Sequence, residues 1–90
     1  LSVAGQVDEI LRAIAQLRSA ATIEGDAARS RSAETLAVRF DGITTQAELR
    51  DAARDGLRLY RGGVGSFQDV GGSTMAEGVA MLGKSLRQVI

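Results

Sequence analysis

Apolar residues recur at alternating spacings of four and three along two long stretches of the chain. This spacing places apolar side chains on one face of an α-helix, so it predicts two amphipathic helices, over about residues 3–21 and 75–89. The recurring positions are Val3, Val7, Ile10, Ile14, Leu17 and Ala21 in the first stretch, with Leu11 beside them, and Met75, Val79, Leu82, Leu86 and Val89 in the second.

Two further helices are predicted between these stretches. Residues 27–32 are polar and rich in Ser and Arg, so we expect a second helix over about residues 27–41 that is short or irregular. It should end near Asp41-Gly42, where glycine can adopt a left-handed conformation. A third helix is expected over about residues 46–61. The apolar positions are Ala33, Leu36, Ala37 and Phe40 in the second helix, and Leu49, Ala52, Ala53, Gly56, Leu57 and Tyr60 in the third.

Helix-start patterns support these assignments. Ser2 can act as the N-cap of the first helix, because its hydroxyl can accept a hydrogen bond from an amide of the first turn. Thr45 and Glu48 form the Thr-x-x-Glu pattern of a capping box, in which hydroxyl and carboxylate each satisfy an amide that lacks a partner within the helix. Thr74 and Glu77 repeat the pattern. We expect the third and fourth helices to begin directly after these threonines.

Small residues on the third and fourth helices predict a close approach between helix axes. Gly56 and Gly83 each cost about 1 kcal/mol of helix propensity relative to alanine, so close packing is a physical reason for glycine at these positions. The small residues are Ala52, Ala53 and Gly56 on the third helix and Ala76, Ala80 and Gly83 on the fourth.

The composition agrees with an all-α fold. The chain has no proline, and only 3% of its residues are aromatic, so its core must be built from Leu, Ile, Val, Ala and Met. Hydrophobic residues account for 44% and charged residues for 24%, which is typical of a folded globular domain. We predict one all-α domain over residues 1–90, a small four-helix bundle with a glycine-rich loop over residues 62–73.

The chain contains neither cysteine nor histidine, which narrows its chemistry. Ser-His and Cys-His nucleophile pairs are excluded, as are metal sites with thiolate or imidazole ligands. Carboxylates do occur in pairs, but each pair lies on or beside a helix with arginine neighbours: Asp8 with Glu9, Glu24 with Asp26, and Asp51 with Asp55. We therefore expect no catalytic residues, no metal and no cofactor, and predict that the protein is not an enzyme.

The charge balance predicts no general attraction to nucleic acid or to an anionic membrane, because eleven basic residues match eleven acidic ones. No apolar run approaches the roughly 20 residues of a membrane-spanning helix, and the N-terminus lacks the order of a signal peptide. Together with the absence of cysteine, this favours a cytoplasmic location. The chain begins at Leu1, so we expect that a short upstream segment has been removed.

The glycine-rich loop differs most in composition from the rest of the chain. It matches neither the phosphate-binding pattern ending in Gly-Lys-Ser/Thr nor the dinucleotide pattern G-x-G-x-x-G, in which Gln68 would replace the third glycine. One interpretation is a tight turn that inserts Phe67 into the core. The other is a rigid turn that presents Gly65, Ser66, Gln68 and Asp69 to a partner, with Phe67 as an aromatic anchor. The two interpretations are compatible.

The region from Leu57 to Asp69 resembles a family of small uncharacterised bacterial helical domains. Their recurring element is a Gly-Gly, hydrophobic, Gly-Ser, large apolar, polar, acidic turn. The resemblance covers about the C-terminal third of the chain, departs from the pattern after Asp69, and implies no catalytic chemistry. The matching positions are Gly62, Gly63, Val64, Gly65, Ser66, Phe67 and Asp69.

Arginines on the third helix form a second candidate feature. Arg50, Arg54, Arg58 and Arg61 recur at spacings of four, four and three, which predicts a basic stripe running toward the glycine-rich loop. Such a stripe can contact RNA or a phosphate-bearing partner. Asp51 and Asp55 each precede an arginine by three residues, however, which also suits ordinary ion pairing on a solvated helix face.

These observations favour a non-catalytic protein-binding module, and we expect a bacterial immunity or antitoxin protein that docks on a toxin and blocks it. One alternative is an RNA-associated or regulatory protein that uses the arginine stripe. Another is a homo-oligomer, for example a homodimer, formed through the apolar faces of the first and fourth helices. The expected partner-binding residues are Arg54, Arg58, Arg61, Gly65, Ser66, Phe67, Gln68 and Asp69, with Tyr60 as a further aromatic anchor.

Overall fold

The longest helix runs through the middle of the fold and is flanked on both sides. The computed structural model describes residues 2–61, 67 and 72–90. Within these ranges it contains no strand and four α-helices, which confirms an all-α four-helix bundle: α1 (Val3–Ile23), α2 (Ala27–Phe40), α3 (Gln46–Leu57) and α4 (Ser73–Gln88), with a 3₁₀ turn (Arg58–Arg61) after α3. α2 and α4 pack along α1, and the shorter α3 contacts all three.

One hydrophobic core joins all four helices. The apolar faces predicted from the periodicity are the faces that become buried, as the largest fully buried side chains illustrate: Ile10, Ile14 and Leu17 from α1, Phe40 from α2, Leu49 from α3, and Met75, Leu82 and Leu86 from α4. None of the helices in the described part of the chain is both long enough and apolar enough to cross a membrane.

The first and third helices begin as the sequence predicts. The Ser2 hydroxyl accepts a hydrogen bond from the Gly5 amide at 3.0 Å. At the start of α3, the Glu48 amide donates to the Thr45 hydroxyl at 3.2 Å, and the Thr45 amide donates to Glu48 Oε1 at 3.2 Å, which completes the capping box. The Thr45 hydroxyl donates to the same oxygen, and this bond, followed by those from the Thr44 and Thr45 amides, lowers the pKa of Glu48.

The second helix corrects the sequence prediction. It is a regular α-helix over its full 14 residues, so the expectation of a short or irregular element is wrong. Its polar first half is held by Asp26, whose side chain accepts a hydrogen bond from the Arg29 amide at 3.1 Å and pairs with the Arg29 guanidinium at 3.4 Å. The helix ends as expected: Gly42 follows it with a φ of 76°, in the left-handed region.

The start of the fourth helix is a second correction. The helix begins at Ser73 with Gly72 as its N-cap, so Thr74 lies within the first turn and does not cap it. The Gly72 amide donates instead to Glu24 Oε1, at 2.9 Å, from the end of α1. The predicted Thr74-x-x-Glu77 capping box is therefore absent.

Gly56 and Gly83 both pack closely against other parts of the fold, as predicted, but not all of the predicted alanines take part. A β-carbon on Gly56 would lie 3.1 Å from Leu36 Cδ1 and 3.2 Å from Leu86 Cδ1, and one on Gly83 would lie 3.2 Å from the Tyr60 ring. Ala76 and Ala80 are exposed and take no part, which corrects that part of the prediction. α4 instead packs on α1 at Gly78, which faces the Leu17 backbone.

Candidate functional site

The candidate site is a groove between α2 and the end of α3, called here the α2–α3 groove. It has a volume of about 550 Å³ and opens to solvent. Most of its wall belongs to one face of α2, and Asp55 and Leu59 close the other side. The lining residues are Ala28, Arg31, Ser32, Thr35, Leu36, Arg39, Asp55 and Leu59.

The α2 wall follows directly from the helical period. Arg31, Thr35 and Arg39 recur every four residues, so they lie above one another along one face of the helix. Leu36 is buried beneath them, and Leu59 is half-buried and packs against the core from the 3₁₀ turn. The result is an apolar floor with guanidinium and hydroxyl groups above it.

One carboxylate links the two walls of the groove. Asp55 Oδ2 lies 3.1 Å from Arg39 Nε of α2, and Asp55 Oδ1 lies 3.4 Å from Arg58 Nη1. These side chains are partly exposed, so each ion pair adds little to stability. Among the described residues that line the groove, Arg31 and Arg39 are positive and Asp55 is negative, and Arg58 contacts Asp55 from outside the lining. The groove is therefore positively charged as well as apolar.

The structure separates the arginines predicted to act together. Neither Arg54 nor Arg58 lines the groove, but Arg58 pairs with Asp55, which does, whereas Arg54 pairs with Asp51 at 3.7 Å. Both i,i+3 pairs agree with the sequence interpretation of a solvated face. Arg61 is exposed at the end of the 3₁₀ turn, and Arg50 is exposed on α3.

Phe67 lies in the core, so the prediction that it serves as an aromatic anchor is wrong and its insertion into the core is confirmed. Only 2% of the residue is exposed. Its amide donates to the Leu59 carbonyl at 2.6 Å, and its ring meets the Tyr60 ring edge-on, with 5.6 Å between centroids. The reason is physical: the apolar ring of Phe67 gains more from burial between helices than from exposure in a loop.

The side chain of Tyr60 also packs against the core. Its hydroxyl donates to the Val79 carbonyl at 2.6 Å, and Arg87 stacks over its ring at 5.8 Å from the centroid. Burial raises the pKa of Tyr60 to about 12, against the smaller opposing effects of Arg87 and of a hydrogen bond with Gly83. Tyr60 therefore joins the 3₁₀ turn to α4, and its ring does not project as an anchor.

The remaining predicted loop residues, Gly65, Ser66, Gln68 and Asp69, lie outside the described residues. The α2 residues of the groove, in contrast, are missed by sequence reasoning, because the polar composition of residues 27–32 suggests an irregular segment. Two features of the sequence could identify them. Asp26 precedes this segment as a good N-cap residue, and the four-residue spacing of Arg31, Thr35 and Arg39 marks one helix face.

The polar groups of the α2–α3 groove are hydroxyls, guanidinium groups and a carboxylate. Its hydroxyl-bearing residues stand beside guanidinium groups, and its one carboxylate is engaged by two arginines. Within the described ranges, no three acidic side chains are placed to hold a metal ion.

Compared with known proteins, the chain matches no protein-family model, no curated protein and no solved structure. The resemblance of residues 57–69 to small bacterial helical domains therefore stays a prediction.

Proposed function

We propose that this protein is a non-catalytic binding module that docks an acidic, amphipathic segment of a partner protein in the α2–α3 groove. The observation that carries the proposal is the position of Asp55, whose carboxylate lies between Arg39 and Arg58 at the edge of an apolar floor. A partner carboxylate can add to this cluster or replace Asp55 as the acceptor of Arg39 or Arg58, and Arg31 offers a further guanidinium.

The apolar floor of the α2–α3 groove indicates that the partner segment also carries apolar side chains. Leu36 and Leu59 present apolar surface between the charged groups. A cavity of about 550 Å³ falls within the range of ordinary ligand sites and accommodates one or two large side chains. An amphipathic helix with a leucine or phenylalanine next to glutamates would satisfy both features, since helix-in-groove recognition uses anchors spaced three and four residues apart.

RNA binding through the arginine stripe is less well supported. Arg54 and Arg58 are each paired with an aspartate of α3, so the stripe alternates in charge. Stacking of bases would also need an exposed aromatic face. Phe67 is buried, and Tyr60 is held by Val79 and Arg87.

We propose in particular that this binding module acts as an immunity or antitoxin protein. In that role the groove receives an acidic segment of a toxin. Two observations support this role. The sequence disfavours several other functions, and the groove is lined by arginines, which are frequent hot-spot residues at protein interfaces.

Peptide selection tests the proposal and needs no identified partner. A random peptide library displayed on phage would be selected on the wild-type protein and on Arg31→Glu, with Arg12→Glu as a matched control. Arg12 is exposed on α1, so the control makes the same charge change outside the groove. We expect the wild type and Arg12→Glu to enrich peptides with acidic residues next to Leu or Phe.

Arg31→Glu should lose that enrichment, and added salt should weaken binding of the selected peptides. Selected peptides without acidic residues, or equal loss of enrichment in Arg12→Glu, would contradict the proposal.

A further inference from the structure

Asp55 occupies the position that a partner carboxylate would take at Arg39. Arg39 Nε donates to Asp55 Oδ2 at 3.1 Å, at the edge of the α2–α3 groove that both residues line. The second arginine of the lining, Arg31, is exposed, and no acidic side chain in the described ranges is paired with it. The groove therefore offers an incoming acid one guanidinium that is already engaged and one that no described carboxylate holds.

The pair between Arg39 and Asp55 is weak enough for a partner to replace it. The two side chains are 43% and 40% exposed, so water screens their attraction. Asp55 also divides its oxygens between two arginines, because Oδ1 lies 3.4 Å from Arg58 Nη1. A guanidinium offers five N–H donors in a planar fork, and Arg39 donates to Asp55 through Nε. A partner carboxylate that accepts two parallel bonds from this fork can replace the bond to Asp55.

Given the docking of an acidic segment proposed above, on which this inference rests, we propose that Asp55 is an internal competitor that selects partners with two carboxylates. A segment with one carboxylate can pair with Arg31 and leave Asp55 in place at Arg39. A segment with two carboxylates can pair with Arg31 and also displace Asp55 from Arg39. Asp55 thereby lowers the affinity for every acidic segment and disfavours most those that cannot replace it.

The positions of the two arginines also define the spacing of the partner's carboxylates. Arg31 and Arg39 are eight residues apart on one face of α2, which is about 12 Å along the helix. A partner helix lying along α2 spans this distance with glutamates about seven or eight residues apart, and these also share one face. An apolar residue midway between them then faces the floor formed by Leu36 and Leu59.

Calorimetric titration of the full chain with two synthetic helical peptides tests this role of Asp55. Both peptides carry a central Leu, and they have either one Glu or two Glu seven residues apart. We expect Asp55→Asn to bind the two-Glu peptide about fivefold more tightly than the wild type does, because Arg39 no longer has an internal acceptor. The one-Glu peptide should gain less. Asp51→Asn is the matched control, because it removes the same charge from α3 at a residue that pairs with Arg54 and does not line the groove.

A double variant shows whether the gain comes from Arg39. Adding Arg39→Gln to Asp55→Asn should remove the fivefold gain. Equal affinity of the wild type and Asp55→Asn, an equal gain in Asp51→Asn, an equal gain for both peptides, or a gain that persists in the double variant would overturn the role of Asp55 while docking in the groove stands. A two-Glu peptide that binds neither the wild type nor Asp55→Asn would overturn the docking itself and this inference with it.

Discussion

Glu24 and Gly72 connect the end of one helix to the beginning of another. The Gly72 amide donates to Glu24 Oε1 at 2.9 Å, and a β-carbon on residue 72 would lie 2.7 Å from Glu24 Oε2. Gly72 has no side chain with which to cap α4, so a carboxylate from α1 takes that place. A negative charge is favourable at this helix end, where the unpaired amides and the helix dipole are positive.

Thr45 and Thr74 share the same local sequence pattern, but substitution by alanine should destabilise the fold only at Thr45. Thr45→Ala should lower the free energy of unfolding by about 1 kcal/mol, because it removes the acceptor of the Glu48 amide. Thr74→Ala should change it little, because Thr74 lies inside α4 and alanine is the better helix former. Urea unfolding followed by circular dichroism measures both. A larger loss in Thr74→Ala than in Thr45→Ala would contradict a start of α4 at Ser73.

Phe67 lies outside the helices, but its substitution should cause a large loss of stability. Phe67→Ala should lower the free energy of unfolding by about 3 to 5 kcal/mol, as for other buried aromatic residues. Phe67→Leu keeps much of the apolar volume and should lose distinctly less. Unfolding midpoints in urea give the comparison. An unchanged midpoint for Phe67→Ala would mean that the ring is not part of the core.

Two buried glycines should respond differently to alanine. A β-carbon on Gly78 would lie 3.4 Å from Leu17 Cα, an ordinary contact, so Gly78→Ala should gain up to about 1 kcal/mol of helix propensity. Gly56→Ala gains the same propensity, but its β-carbon would meet Leu36 and Leu86 at 3.1 and 3.2 Å, so crowding offsets the gain. Thermal unfolding ranks the two variants. Greater stabilisation by Gly56→Ala would contradict the packing of α3 on α2 and α4.

The burial of the Tyr60 phenol should make the fold less stable at alkaline pH. In the unfolded chain its phenol titrates near 10.0, whereas burial raises the pKa of Tyr60 to about 12 in the fold. Between these values the unfolded chain loses the proton first, so stability that is fully present below pH 10 falls as the pH rises toward 12. Tyr60 is the only tyrosine and the chain has no tryptophan, so tyrosinate absorbance reports this group alone. Titration near 10 while the helices remain folded would contradict the burial.

Much of the fold could be predicted from the sequence because helical periodicity is a local property. The stripes from Val7 to Ala21 and from Met75 to Val89 mark buried faces whatever the neighbouring helices are. Local patterns failed where the deciding partner is distant in sequence. Thr74 carries a capping pattern, yet the cap of α4 comes from Glu24, which no spacing rule connects to it.

The candidate site was predictable only in part for the same reason. The arginine spacing of the predicted third helix identifies Arg58. Arg31 and Arg39 belong to α2, and their importance appears only when Asp55 brings the two helices together. Spacing along one helix also could not show that Phe67 and Tyr60 pack against each other and so leave the surface.

A nuclear magnetic resonance titration tests whether the α2–α3 groove binds an acidic, amphipathic helix. The probe is a short helical peptide with Leu and Glu on one face, and a peptide with Lys in place of Glu is its control. We predict that the acidic peptide shifts amide signals of residues 28–39 and 55–59 and that the Lys peptide does not. Signals that stay unchanged, or that move equally with both peptides, would contradict the assignment of this groove as the docking site.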